Sequence, residues 1–145
     1  MPQAYRPYFV TVLVAYWCIS TSTVIAAKPA GLVTEGFHLA YNLDHEAAIA
    51  KLTEAVQAYP DNPATHRSLA AVVWLKLLFS RGALLVDNYL TGSVSRPTGD
   101  LEPPPKELDQ LFEDHIERAI ALSETAIQVA PMNANAHYEL GIALG

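Results

Sequence analysis

Hydrophobic residues first recur at helical spacing in the second quarter of the chain. The apolar positions follow one another at intervals of four, three and four, at Ala48, Leu52, Ala55 and Tyr59. This spacing places them on one face of an α-helix. Pro60 ends that helix, because proline lacks an N–H and restricts the residue before it. Asn62 as an N-cap, with Pro63 in the first turn, predicts the next helix, so the pattern reads helix, tight turn, helix.

The same pattern returns 71 residues later. Ten of the 24 positions in 46–69 are identical with those in 117–140, including the Pro, Asn, His and Leu of the turn and second helix. The second copy predicts a helix through Ala119 and Ala126 that ends at Pro131, and a further helix capped by Asn133. An internal duplication of a helical hairpin therefore organises the chain.

Two long helices are predicted on either side of a proline-rich loop in the middle of the chain. Residues 64–79 form a strongly apolar helical stretch, and 91–105, with two glycines and four prolines, form a loop. Helix resumes near Lys106 or Glu107, with acidic residues in its first turn, and runs for about 24 residues or about 36 Å. Residues 78–114 are therefore predicted to be an insertion between the two helices of the middle hairpin.

The small residues and prolines of these hairpins resemble the tetratricopeptide repeat family. Two sets carry the resemblance: Gly36, Ala48, Ala55 and Pro60, at intervals of twelve, seven and five, and Ala119, Ala126, Pro131 and Gly141. Small residues are needed where the two antiparallel helices of a unit touch. The sequence departs from the family at Leu32, Leu39 and His66, which replace aromatic residues, and in its period of 71 instead of 34.

The resemblance implies an all-α fold, a solenoid of helical hairpins over residues 30–145. Its units are expected at about 30–62, at 63–133 with the inserted segment 78–114, and at 134–145 as an incomplete hairpin. A helical-hairpin array outside this family is the alternative. Because arrays of this kind usually carry three or more units and a polar capping helix, the chain is expected to be the N-terminal portion of a longer protein.

A separate apolar segment begins the chain. Residues 8–27 carry no charge and 15 of these 20 positions are hydrophobic, with Arg6 before them and small residues at the end. This arrangement predicts a secretory signal peptide over residues 1–27, cleaved after Ala26 or Ala27. The alternative is an uncleaved membrane anchor formed by residues 8–27, because about 20 apolar residues can span a bilayer. Either reading places the rest outside the cytoplasm, as a periplasmic or extracellular protein.

Composition then removes several classes of function. A hydrophobic fraction of 51% excludes a disordered tail protein, and one cysteine excludes a disulfide scaffold. A net charge of −6 with nine Lys and Arg argues against nucleic acid as a partner, because phosphate binding needs a clustered basic face. The membrane is expected as a partner only through the first segment, if it is not cleaved.

No residues assemble into a recognisable catalytic or metal-binding motif. Glu35 and His38 have the Glu-x-x-His spacing of di-iron sites, but the second such motif is missing. His66 and His137 recur with the repeat, which indicates a packing role. We therefore expect no enzyme activity, no cofactor and no metal.

Binding is the function that the resemblance implies. Helical-hairpin arrays present a concave groove suited to an extended peptide or a partner's helix. The matching groove positions are Phe37, Tyr41, Arg67, Ala71, Trp74, Asn135 and Tyr138. The Lys and Asn residues with which some members clamp a terminal carboxylate are absent. A protein or peptide partner is expected for a scaffold of this kind, and the alternative is a docking domain of a longer enzyme or transport component whose active part lies beyond residue 145.

Overall fold

A computed structural model describes residues 29–81 and 103–145, and these residues contain five α-helices and no strand. The helices are α1 (Pro29–Tyr41), α2 (His45–Ala58), α3 (Pro63–Ser80), α4 (Lys106–Val129) and α5 (Ala134–Leu144). The all-α expectation is confirmed for this part of the chain. The predicted signal segment 1–27 lies outside the described residues, as do residues 82–102 of the predicted insertion and its loop.

Side-chain caps set the starts of α3 and α5, as the sequence predicts. The Asn62 side chain accepts a hydrogen bond from the Ala64 amide at 3.0 Å, with Pro63 as the first helical residue. Asn133 does the same at the start of α5, where it accepts from the Asn135 and Ala136 amides. These bonds satisfy amides that have no partner within the helix. The two copies of the duplicated segment therefore have the same local structure.

Helices that follow one another in the sequence pack together, and alternate helices also touch. Contacts join α1 to α2, α2 to α3, α3 to α4 and α4 to α5, and further contacts join α1 to α3 and α3 to α5. The centre of the packing is a cluster of buried residues at the junction of α1, α2 and α3: Ala40, Ala48, Leu52, Leu69, Val72, Val73 and Leu77. The helix α3 therefore occupies the middle of the structure.

A close approach between α1 and α2 depends on glycine. A Cβ atom added to Gly36 would lie 2.6 Å from Cγ of Leu52, a side chain with no solvent exposure. Ala48 and Ala55, on the same helix as Leu52, are also fully buried. The resemblance implies small residues at these three positions; at Gly36 the contact with Leu52 gives the physical reason, and Ala48 and Ala55 lie at fully buried places.

The helix α4 is 24 residues long and begins at Lys106, as the sequence predicts. Residues 106–114, which the sequence assigns to an insertion, form its first turns. Leu108, Leu111 and Phe112 from these turns pack against the buried cluster. The first part of α4 therefore contributes to the core.

Candidate functional site

The seven predicted groove residues all lie on α1, α3 and α5. The helix α1 carries Phe37 and Tyr41, α3 carries Arg67, Ala71 and Trp74, and α5 carries Asn135 and Tyr138. These are the helices that touch in alternation, so the residues belong to one row of neighbouring helices. We call this row of three helices the α1–α3–α5 surface.

Three of the predicted groove residues have aromatic side chains that are open to solvent. Tyr41 on α1 is 80% exposed, Trp74 on α3 is 45% exposed and Tyr138 on α5 is 60% exposed. Each of the three helices therefore presents at least one exposed aromatic ring, and α3 presents a second, Phe79, which is 48% exposed and lies 5.3 Å from His45 of α2 between ring centroids. Aromatic side chains of this kind supply much of the contact energy in protein interfaces.

The other predicted groove residues have different environments. Phe37 packs against the buried cluster and is only partly exposed, while Asn135 is exposed and Ala71 is half-buried. Trp74 also contacts Phe112 of α4, with ring centroids 5.6 Å apart. One side of the Trp74 ring is therefore used in packing, and the exposed remainder is available to a partner.

Arg67 forms an ion pair within the protein. Its Nε donates to Oε2 of Glu139 at 2.6 Å, and this bond joins α3 to α5. The side chains are 18% and 7% exposed, so water screens the pair weakly. The positive charge of Arg67 is thus largely neutralised on the α1–α3–α5 surface, which leaves aromatic rings as its main binding groups.

Glu139 is a residue that reasoning from the sequence missed. The period of 71 pairs it with Ser68, which is fully buried on α3. A carboxylate at a buried position needs a cationic partner, but the burial of this repeat position is seen only in the structure. The partner could not be read from the sequence either, because it depends on how α3 and α5 pack.

The two repeat histidines both bind the carbonyl of the preceding turn. Nε2 of His66 donates to the Pro60 carbonyl at 2.9 Å, and Nε2 of His137 donates to the Pro131 carbonyl at 2.8 Å. His66 is buried and His137 is exposed. His66 also bonds His115 of α4 through its other ring nitrogen. A fixed role for these histidines in the turn is consistent with the packing role that the repeat indicates.

The remaining repeat positions differ between the copies in how deeply they are buried. Ala119 is buried like Ala48, whereas Ala126 is half-buried and Ala55 is fully buried. Pro60 and Pro131 are both exposed at the turns. Gly141 has no atom within 4 Å of the place where its Cβ would stand, in contrast to Gly36. The outer face of α5 is therefore open where the face of α1 is covered by α2.

The described residues contain neither a cluster of metal ligands nor a helix that could span a membrane. No three His, Cys, Asp or Glu side chains of residues 29–81 and 103–145 come together in a group that could hold a metal ion. Glu35 of the incomplete Glu-x-x-His motif lies 3.8 Å from Nζ of Lys51, as an ion pair on the surface. None of the five helices combines the length and the apolar character needed to cross a bilayer.

Comparisons with protein-family models, with curated proteins and with solved structures find no match to this chain. The described residues belong to an all-α protein with a duplicated helical hairpin and exposed aromatic side chains on three neighbouring helices.

Proposed function

We propose that this chain is an exported, tetratricopeptide-like scaffold that binds a peptide or a partner's helix on the α1–α3–α5 surface. The observation that carries the proposal is the exposed aromatic ring on each of these three neighbouring helices. An extended chain or a helix is the kind of ligand that can lie across three neighbouring helices and use an aromatic anchor on each.

The internal packing supports an array of the tetratricopeptide type. Small residues at Gly36, Ala48 and Ala55 allow α1 and α2 to approach closely, and the second copy repeats the capped turn of the first. The alternation of contacts, in which α3 touches both α1 and α5, is what stacked hairpins produce.

The surface favours a ligand with apolar or aromatic groups over a strongly charged one. Arg67 is paired with Glu139, and the aromatic rings of Tyr41, Trp74 and Tyr138 provide apolar area together with two hydroxyl groups and one indole N–H. Binding by a clustered charge is not the mode that these residues supply.

Selection of peptides tests this proposal. The whole chain is used to select binders from a random peptide library on phage, and the affinities of synthetic copies are measured by calorimetry. The substitutions Tyr41→Ser and Tyr138→Ser are each expected to weaken binding by about tenfold, because aromatic anchors at an interface contribute 1 kcal/mol or more. Met132→Ala, at an exposed residue of the α4–α5 turn, serves as the control. Peptides that bind both tyrosine variants as tightly as the wild type would contradict the proposal.

Export is tested by the amino terminus of the mature protein. Expression in a diderm bacterium followed by fractionation is expected to give a periplasmic product that begins at Ala27 or Lys28. A product that retains Met1 and sediments with the membrane supports the anchor formed by residues 8–27. A product that retains Met1 in the cytoplasm rules out both.

A second candidate function is that this chain is the docking domain of a longer enzyme or transport component, which it would contact through α5. The observation in its favour is the open face of α5, where Gly141 is uncovered and Ile142 and Leu144 are exposed. The genomic reading frame downstream of codon 145 tests it. A catalytic or transport domain encoded there is expected, and a stop codon directly after Gly145 contradicts it.

A further inference from the structure

His66 and His115 face each other where α3 packs on α4. Their Nδ1 atoms are 2.8 Å apart, and their ring centroids are 5.0 Å apart. Nε2 of His66 is bonded to the Pro60 carbonyl, which can only accept, so this nitrogen carries a hydrogen. In the neutral protein, Nδ1 of His66 is therefore an acceptor, and Nδ1 of His115 donates to it.

This arrangement has room for one proton between the rings. Two Nδ1–H groups cannot point at each other across 2.8 Å, and two imidazolium charges at this distance repel. A second proton on the pair therefore breaks the contact between α3 and α4. The first proton can enter at Nε2 of His115 and leave the bond in place, but it charges a half-buried ring.

The surroundings of the pair disfavour that charge. Burial, followed by the neighbouring His66, lowers the pKa of His115, and the carboxylate of Asp114 opposes them more weakly. Among the other charged groups on the elements packed around the pair, Arg118 pairs with Asp61 at 3.2 Å and Arg67 with Glu139 at 2.6 Å, while Glu113 and Glu117 of α4 are exposed to water. Asp61 and Glu139 each already face an arginine, so neither is an unengaged counter-ion for a histidine cation.

The second copy of the repeat provides an internal reference. His137 makes the same bond to its turn as His66, to the Pro131 carbonyl, but its side chain is exposed to water. The local motif is therefore shared, and the buried contact with a second histidine distinguishes His66.

We propose that His66 and His115 form a proton-sensitive lock that holds α4 on α3 at neutral pH and releases it in acid. Release would expose Leu108, Leu111 and Phe112, which pack against the core through the first half of α4. The lock does not depend on the binding surface proposed above. A role for acid as a signal rests on the export proposed above, which the test below does not require.

The direction of the effect follows from proton linkage. In the unfolded chain both histidines take up protons with a pKa near 6.5, whereas the locked pair excludes at least one of them. Stability is therefore fully present above about pH 7 and is lost as the pH falls below about 6.5. One excluded proton lowers the folding equilibrium constant about tenfold between pH 7.5 and pH 5.5.

Urea unfolding of the whole chain at pH 7.5 and 5.5, in the presence of a chelator, tests the lock. His115→Gln keeps a hydrogen bond in both states of His66, because an amide can donate or accept. The folding equilibrium constant of the wild type is expected to fall about tenfold over this range, whereas that of His115→Gln is expected to stay nearly constant. His137→Gln is the matched control and is expected to follow the wild type within about twofold. Equal losses for His115→Gln and the wild type would overturn the proposal.

A second measurement covers the case in which His115→Gln does not fold. Nitrogen-15 spectra of the wild-type imidazoles at pH 7.5 are expected to show His66 with its hydrogen on Nε2 and His115 with its hydrogen on Nδ1. Hydrogen exchange at pH 5.5, corrected for intrinsic rates, is expected to show faster opening of residues 106–119 than at pH 7.5. A His115 that carries its hydrogen on Nε2, or opening that does not change with pH, would rule out the lock.

Discussion

At the scale of single residues, the same repeat position has opposite environments in the two ends of the structure. Gly36 lies under Leu52, where a Cβ atom has no space, while Gly141 faces open space. Both glycines lie inside helices, where glycine is less favourable than alanine by up to about 1 kcal/mol. Replacing glycine by alanine should therefore stabilise the helix at Gly141, whereas at Gly36 the contact with Leu52 prevents this gain.

Gly36→Ala is expected to lower the free energy of unfolding by about 2 kcal/mol, because Leu52 is fully buried and cannot move away from the added methyl group. Gly141→Ala is expected to raise it by up to about 1 kcal/mol, through helix propensity alone. Urea unfolding followed by circular dichroism measures both. A Gly36→Ala variant as stable as the wild type would show that α1 and α2 do not approach each other as closely as described.

Leu43 is a second residue under a backbone constraint. It lies in the α1–α2 turn with φ at 64°, the left-handed region that costs most residues about 1 kcal/mol, and its side chain is largely exposed. Leu43→Asn is expected to raise the free energy of unfolding by about 0.5 kcal/mol, because asparagine tolerates this region. Leu43→Val is expected to lower it by about 1 kcal/mol, since β-branching worsens the clash. Thermal unfolding of the three proteins should therefore give the order Asn, Leu, Val.

At the scale of helices and turns, local signals predicted the structure well. Asn62, Pro63 and Asn133 act through bonds that span two or three residues, so the start of a helix can be read without knowing its neighbours. The start of α4 was predicted from three prolines followed by acidic residues, and its length from apolar residues that continue on one face as far as the stop at Pro131. The half-buried state of Ala126 was not predicted, because it depends on which helix lies beside it.

Contacts between helices could not be predicted from the sequence. The bond from His66 to His115 joins residues 49 apart, and the bond from Arg67 to Glu139 joins residues 72 apart. Each depends on the relative rotation and translation of two helices, which the hydrophobic pattern leaves open. For Arg67 this changes the chemistry of the surface, since a predicted binding cation is engaged within the protein.

Arg67→Ala is expected to lower the free energy of unfolding by about 3 kcal/mol, because it leaves the carboxylate of Glu139 buried without its cation. The double variant Arg67→Met with Glu139→Leu is expected to recover most of this loss, since a buried ion pair can be replaced by packed apolar groups. Chemical denaturation measures the difference. A loss below about 0.5 kcal/mol for Arg67→Ala would mean that the ion pair is solvated like an ordinary surface pair.

At the scale of the whole described structure, α3 is the helix that contacts the largest number of other helices. It touches α1, α2, α4 and α5, whereas α5 touches only α3 and α4. Local opening should follow this difference, because a helix opens at a cost set by the surface that it buries.

Amide hydrogen exchange at neutral pH is expected to be slowest in the middle of α3 and fastest in α5, with a difference of at least about tenfold in protection. The fully buried residues Leu69, Val72 and Val73 mark the slow region. Equal protection of α3 and α5 would indicate that the outer face of α5 is covered in solution, for example by a second copy of the chain.

The order of contacts has a mechanical consequence. Among residues 29–81 and 103–145, no helix touches another that is more than two helices away in the sequence. A pulling force applied at the two ends would therefore load each interface in series, so the helices would peel away one at a time from α5 instead of shearing together. Under tension the protein should therefore lengthen in steps, and the first contact to break should be the Arg67–Glu139 bond.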